Sequence, residues 1–536
     1  MKIIRLITLL LALLMTFNGQ CQYGWLDHFG SNDTDVGYCI VSESGSTYAG
    51  GWFQGSVTFG TTTLTSFGGT DIFLLRLDSL GNTIWAKEFG GSGDDYIAGI
   101  SSDGHGNLYF SGSFSDQAHF GTFLLASNGE SDAYICRITT DGNVKWVLNG
   151  GGYLPDQAYR VNVSPTGDFV AFTGYFREFA QFGPFTIPGM VGREFFVARV
   201  DTSGVYRWIF AVPGISDEVG YGIDVDSSGN IYSAGYFFSE IWQVGSYNLV
   251  NAGAADCSLM KFDSKGNLLW AKRFGGYEED LPRSVKCYNG SVYIGGYHYG
   301  SGNFLGINLP GKGGKDSFVI KADADGNAIW AADGVSAMDD EMVGLAVDAD
   351  DNVYTSGAFS GTMTIGNSSY YSAGAYDAYC LKIDGSSGIG VKAITGGGSD
   401  NDAFFGVCVK GLDTVQLAGY FSETAHFGSN TLVSAGLWDI LFAETSDFLV
   451  GLSKQNRDTG IQIFPNPAQK VITCRFDKSI PVRLNLFNSL GVMIKTIEPA
   501  TAHEITVDCS QMPTGMYYLT TDDNFSSSSR KVIILR

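Results

Sequence analysis

Six histidines, a few adjacent carboxylates and eight cysteines beyond Cys21 are the groups here that could act on a substrate or hold a metal. The histidines are His28, His105, His119, His298, His426 and His503, and no two are spaced as a zinc-binding pair. His119 and His426 share the context Ala-His-Phe-Gly, so each marks a position in a repeat. Asp323-Ala-Asp325-Gly326-Asn327 opens like a calcium loop, but its twelfth position is Gly334, where such a loop needs a glutamate. The adjacent pairs Asp94–Asp95 and Asp339–Asp340 fall in turns between strands and read as solvated polar residues; a glycosidase pair would have to converge in space. No Cys-x-x-Cys occurs. Cys136 and Cys380 sit at near-equivalent repeat positions and read as small core residues, while a bridge between Cys474 and Cys509 stays open. No catalytic residue, cofactor site or metal site is assigned.

The elements that carry these residues are short and β-forming. The chain has 536 residues, 14% aromatic and only 16% charged, with 72 glycines against 12 prolines. That composition suits strands and tight turns. The net charge is −22, and it is uneven: residues 1–21 and 461–536 each carry +2, which leaves −26 on the middle. Such a surface repels phosphate backbones, so a nucleic-acid partner is not expected.

Lys2 and Arg5 precede an apolar run from Leu6 to Met15, then polar residues to Gln22. The run is too short to span a bilayer and suits a signal peptide over 1–21. No later segment is apolar enough to cross a membrane as a helix, so no transmembrane segment is expected after signal cleavage.

Three markers recur about every 61 residues. Trp25, Trp85, Trp146, Trp208, Trp270 and Trp330 are spaced by 60, 61, 62, 62 and 60. An acidic residue opens an apolar strand at Asp71, Asp132, Glu194, Asp256, Asp316, Asp377 and Asp439. A glycine lies near the end of another strand at Gly51, Gly112, Gly174, Gly235, Gly296, Gly357 and Gly419. Turns such as Asp78-Ser-Leu-Gly81-Asn82 join the acidic-marker strand to the tryptophan strand, with Asp accepting backbone N–H groups and Gly supplying positive φ. The tryptophans read as wedges between neighbouring units rather than as ligand platforms. The Trp25 strand lacks its hairpin partner, and the strand from Asp439 lacks a following tryptophan strand, so their pairing would complete a ring. The fold expected is all-β: a seven-bladed β-propeller over 22–449, a linker over 450–460, and a small antiparallel β-sandwich over 461–536.

The repeated Asp-x-x-Gly-Asn-x-x-x-Trp-Ala-Lys-x-Phe-Gly-Gly followed by Asp-x-x-Gly-Asn-x-Tyr-x-x-Gly-x-Phe resembles the bacterial β-propeller repeat often called SBBP, across about 23–449. The resemblance implies a surface or secreted protein and no single activity. The Asp-x-x-Gly-x-x-x-Trp element is also similar to quinoprotein repeats, but the vicinal cysteines often found there are missing; sialidase Asp-boxes space their Asp and Gly more closely.

The pattern changes after Ser446, and the polar stretch Ser453–Gly460 reads as a linker. Pro465-Asn466-Pro467, the turn ending in Gly491, Gly515-Met-Tyr517 and a terminal strand headed by Lys531 follow in order. Together they resemble the type A C-terminal sorting domain of the type IX secretion system of Bacteroidetes. That implies the secretion machinery as partner and a secreted or outer-surface destination. The leading expectation is a non-enzymatic binding or adhesion protein with a glycan or surface-protein ligand. The rivals are a polysaccharide hydrolase or lyase with its site on the propeller axis, and a quinone-dependent oxidoreductase.

Overall fold

The computed structural model describes residues 23–411, 413–446 and 448, and in the C-terminal part 462–464, 468, 470–488, 493–510, 512–522 and 527–534. Chain contacts divide it into two compact units, Met1–Phe448 and Leu449–Arg536. The described residues contain no helix.

The first unit is built from seven antiparallel four-stranded sheets, called blades below. Blade 1 runs Val36–Glu43, Ser46–Phe53, Asp71–Leu77 and Thr83–Gly91, each strand paired to the next. The first strands of blades 2 to 7 are Tyr96–Ser102, Gln157–Val163, Glu218–Val225, Asp280–Tyr288, Asp340–Val347 and Ala403–Gly411. Each first strand touches the first strand of the next blade, and Ala403–Gly411 touches Val36–Glu43, so they form a closed inner ring. Blade 7 takes its outermost strand from the other end of the chain: Tyr23–Phe29 pairs with Asp439–Thr445. This β-propeller therefore leaves no unpaired blade edge at its closure.

Seven hydrophobic cores lie between blades rather than within them. The core shared by blades 7 and 1, for instance, joins Phe442 and Ile440 to Ile40, Phe53 and Phe73. The tryptophans lock the outer half of these interfaces. Trp85, Trp146, Trp208 and Trp330 each donate their Nε1–H to a turn carbonyl of the following blade, on Thr140, Thr202, Ser264 and Gly385, at 2.9 to 3.2 Å. The turn glycine of that blade lies against the same ring: a Cβ on Gly204 would stand 3.0 Å from Trp146. The Trp-to-Gly spacing in the sequence is thus an inter-blade contact.

Blade 2 carries an extended hairpin. Its second and third strands continue into one long hairpin, Asn107–Phe120 and Phe123–Thr139, with an irregularity between Ala126 and Ser131. Phe120-Gly121 is the hairpin tip, turned by Gly121 at φ +63°. The tip pairs with the preceding blade, Gly90 to His119 and Gly91 to Ala118.

In the second unit, the described strands join one five-stranded antiparallel sheet. Alternate residues face its core: Ile472 and Cys474, Leu484 and Leu486, Ile505 and Val507, Tyr517 and Leu519, Val532 and Ile534. This period-two burial is what the alternating sequence dictates.

Candidate functional site

Every blade has two ends. At one, tight turns join the first strand to the second and the third to the fourth; at the other, the first and third strands begin. Two rings of acidic residues occupy this second end. The third-strand set is the sequence marker from Asp71 to Asp439. The first-strand set is Asp35, Asp95, Asp156, Glu218, Asp280, Asp340 and Asp402. No member of either ring is more than 4% exposed. Asp95 and Asp340 are therefore not the solvated turn residues their context suggested; backbone donors hold both inside.

The two rings meet across blade boundaries. Gly91 N–H donates to Asp71 Oδ1 at 3.1 Å and to Asp95 Oδ2 at 2.8 Å. A Cβ on Gly90 would lie 2.1 Å from Asp71 Oδ1, and one on Gly151 would lie 2.5 Å from Asp156 Oδ2. The Phe-Gly-Gly motif leaves room for this carboxylate pair. Each third-strand acid also accepts the N–H of the residue four before it, as Asp132 does from Asn128 and Asp256 from Ala252. These acids fasten loops through backbone donors, while Glu218 Oε2, Asp280 Oδ1 and Asp316 Oδ1 accept no hydrogen bond among the described residues.

Burial disfavours the charged form. It pushes Asp95, Glu218, Asp280 and Asp402 up to about 7, Asp156 to about 8 and Asp340 to about 6. Neighbours compensate differently from blade to blade. Arg273 grips Asp256 with two bonds of 2.6 and 3.0 Å. Asn149 donates to Asp132 at 2.9 Å. Beside Asp71, burial and that neighbouring charge push Glu88 up to about 7. In blade 5, where other blades have an aromatic ring, His298 donates from Nε2 to Asp333 Oδ1 at 2.8 Å. Burial opposes the charged ring, but Asp333 outweighs it and holds His298 above its usual range.

Three residues past the first-strand acid, all seven first strands bulge at the same place. The extra residues are Tyr38, Ala98, Tyr159, Tyr221, Arg283, Val343 and Phe405. The marker glycine opposite each bulge explains itself here. A Cβ on Gly51 would meet Val36 O at 1.8 Å, and one on Gly112 would meet Tyr96 O at 1.8 Å. The carbonyl beside the bulge occupies the space of that missing side chain.

The bulge residues surround the axis. Inside them lies a narrow cavity of about 90 Å³ lined by all seven first strands, widening to about 390 Å³ toward the turn end. Arg160 of blade 3 reaches across to blade 1 and lies 5.6 Å over the Tyr38 ring, while its Nη1 donates to Ala98 O. Tyr159 and Tyr221 stack at 4.2 Å. Tyr38 packs on Trp52 and Phe405, and Tyr420 stacks on Trp438 at 4.4 Å. Arg283 lies 4.7 Å over Tyr221 and bonds Glu341 at 3.0 Å, which Lys315 also holds at 2.9 Å. Tyr38, Trp52, Tyr159, Tyr221, Tyr299, Phe405 and Trp438 are half-buried. The sequence reading missed this constellation because its members differ from blade to blade. Their signal was the first-strand acid, which recurs at 60- to 62-residue intervals, with the bulge residue three beyond it.

The candidate calcium loop is a turn. Asp323 Oδ1 accepts the N–H groups of Asp325 and Asn327 at 3.0 and 2.8 Å, and Oδ2 accepts Asn327 Nδ2–H at 3.0 Å. Cys136 and Cys380 are buried in inter-blade cores. Cys474 and Cys509 are free thiols in the core of the C-terminal unit. Of the sorting-motif residues, Gly515 opens the strand Gly515–Asp522, and Tyr517 is buried with its hydroxyl donating to Pro513 O at 2.9 Å. Lys531 pairs with Tyr518 through the backbone. Pro465, Asn466, Pro467 and Gly491 lie outside the described residues, as do the signal segment 1–21 and the linker 450–460.

The chain aligns at 23% identity over 482 residues with an uncharacterized WD repeat-containing protein, L264, of Acanthamoeba polyphaga mimivirus, covering 73% of this chain and 35% of that protein. It thus spans about a third of that relative's length. Among solved structures, it is similar to the quinohemoprotein alcohol dehydrogenase of Comamonas testosteroni (10% identity, 84% of this chain and 79% of that one, TM-score 0.38). It is also similar to Sqt1 of Saccharomyces cerevisiae (8% identity, 95% and 98%, TM-score 0.37). Likenesses at this level carry no activity across. Residues 462–535 match the family described as "Secretion system C-terminal sorting domain". No helix among the described residues is long and apolar enough to cross a membrane. The C-terminal unit is therefore a type IX sorting domain, and the β-propeller it follows is exported to the cell surface or the medium.

Proposed function

We propose that this exported protein is a non-catalytic binding protein, and that its aromatic mouth at the acid-ringed end takes glycan. The observation that carries the reading is the convergence of half-buried rings from five blades on one axis, Tyr38, Trp52, Tyr159, Tyr221, Tyr299, Phe405 and Trp438 among them. Such rings offer flat apolar faces with polar tips, which match the two-sided character of a sugar ring. The ring carboxylates are buried and hold loop backbone, and Glu341 is held by Arg283 and Lys315, which favours binding over hydrolysis. In this reading residues 1–21 are removed on export, 22–449 form the active part with seven blades, and 450–460 link it to the sorting domain at 461–536, which the secretion machinery recognises.

The test uses the full chain and its Trp52→Ala and Tyr221→Ala variants in pull-downs with a panel of polysaccharides. Binding by the full chain that drops at least tenfold in both variants is the expected result. Release of reducing ends from any polysaccharide would instead favour the hydrolase reading.

A further inference from the structure

The mouth is not symmetric. Its blade 7 and blade 1 side is aromatic, with Trp438, Tyr420, Phe405, Tyr38 and Trp52, and takes one cation, Arg160 over Tyr38. On the opposite side, blades 3 to 5 contribute a continuous tyrosine cluster with cations set into it. Arg193 lies 5.1 Å over Tyr175 and its Nη1 donates to Tyr236 at 3.3 Å. Arg283 lies over Tyr221 and Tyr297, and Lys315 is 4.4 Å over Tyr297.

Acidic partners are shared unevenly along this arc. Arg283 and Lys315 share one carboxylate, Glu341. Arg193 reaches Asp217 only at 3.9 Å. The Arg177 side chain, in the same blade as Tyr175, is half-buried and makes no hydrogen bond among the described residues. Lys315 also faces Asp339, and Asp156 lies near Arg177, so Arg193 and Arg177 are the pair without a close ion-pair partner, in a protein whose residues 22–460 carry −26. A long-range acidic field would repel a polyanion, so a local cationic arc is of use only to a ligand that brings a negative group to this spot. Tyrosine faces beside guanidinium groups suit a sugar ring bearing an anion, since the rings take its C–H face and the forked donors take the charge.

Resting on the glycan reading, we infer that the mouth is selective for acidic polysaccharide. The uronate carboxylate or sulfate ester lies over Arg177, Arg193, Arg283 and Lys315, and adjoining sugar rings lie over the aromatic side.

The experiment measures the affinity of the full chain for alginate, chondroitin sulfate, neutral laminarin and polyglutamate, at low and high salt. Arg177→Gln and Arg193→Gln are made at partly exposed positions that leave the inter-blade cores untouched, and Arg283→Gln completes the set. Alginate or chondroitin sulfate binding at least about tenfold tighter than laminarin, falling with salt and by about tenfold in the Arg177→Gln/Arg193→Gln double variant, is the expected result. The stronger of those two ligands then separates carboxylate from sulfate recognition. Equal affinity for laminarin, with Tyr221→Ala but not the arginine variants impaired, overturns the acidic preference and leaves the glycan reading standing. Preferential binding of polyglutamate, or no polysaccharide binding at all, overturns both.

Discussion

At the turn end, short turns such as Asp201–Val205 close on the carboxylate of their first residue, and one turn carbonyl takes the tryptophan N–H of the preceding blade. Asp78, Asp263 and Asp323 all accept the N–H groups two and four residues on and are half-buried. At the opposite end, the same residue types are buried and bond between strands and across blades. The difference lies in what can change. A turn closed on itself repeats almost unaltered from blade to blade. An acid that only has to fasten a loop tolerates any residue beside it, and there Tyr38, Arg283 and Val343 diverge at one structural position. The ring of buried acids is the frame that lets this end vary.

The sharpest way to break that contrast is to put a methyl group on each end. Gly90→Ala places Cβ against Asp71 and Asp95 at φ +143°, and should cost more than about 4 kcal/mol or prevent folding, read by denaturant unfolding. Trp146→Ala removes the interlock between blades 2 and 3 along with the bond to Thr202. It should cost about 3 kcal/mol in the same assay. A smaller effect separates the ends by pH. The folded pKa of Asp156 is raised to about 8, so its neutral form stabilises the fold; that contribution is full below the ordinary carboxylate range and is lost as pH rises toward 8. The melting temperature should therefore rise from pH 8 to pH 5, and Asp156→Asn should flatten the slope. The turn-end aspartates oppose this only at lower pH, because Asp323 and Asp263 titrate below their ordinary value. Smallest of all, Gly104→Ala at φ +68° meets nothing within 4 Å and should cost about 1 kcal/mol. A cost equal to that of Gly90→Ala would dissolve the distinction.

Much of the frame was legible beforehand because it repeats. Tryptophan spacing exposed the blades, the Asp-x-x-Gly-Asn turns exposed the hairpins, and the unmatched strands at Trp25 and Asp439 pointed to their pairing. Each of these is a demand the backbone makes at every turn of the ring. The first-strand acids repeat as faithfully, yet Asp95 and Asp340 looked like polar turn residues because each follows a second aspartate. Burial depends on a neighbouring blade some 24 residues away, as the Asp71–Asp95 pair illustrates, and adjacency in sequence conceals it. The mouth was least legible, since Arg160 meets Tyr38 across two blade boundaries and no local pattern foretells a contact over that separation.

The pairing of Tyr23–Phe29 with Asp439–Thr445 also sets an order of events in time. A chain emerging from its N-terminus holds its first strand without a partner until more than 400 further residues have followed. Until then blade 7 is short of a strand and the first segment is an open edge, available to any competing β-segment. The ring seals only when Thr445 arrives, immediately ahead of the sorting domain matched at 462–535. Completion of the fold and appearance of the export address are nearly one moment in the life of the chain.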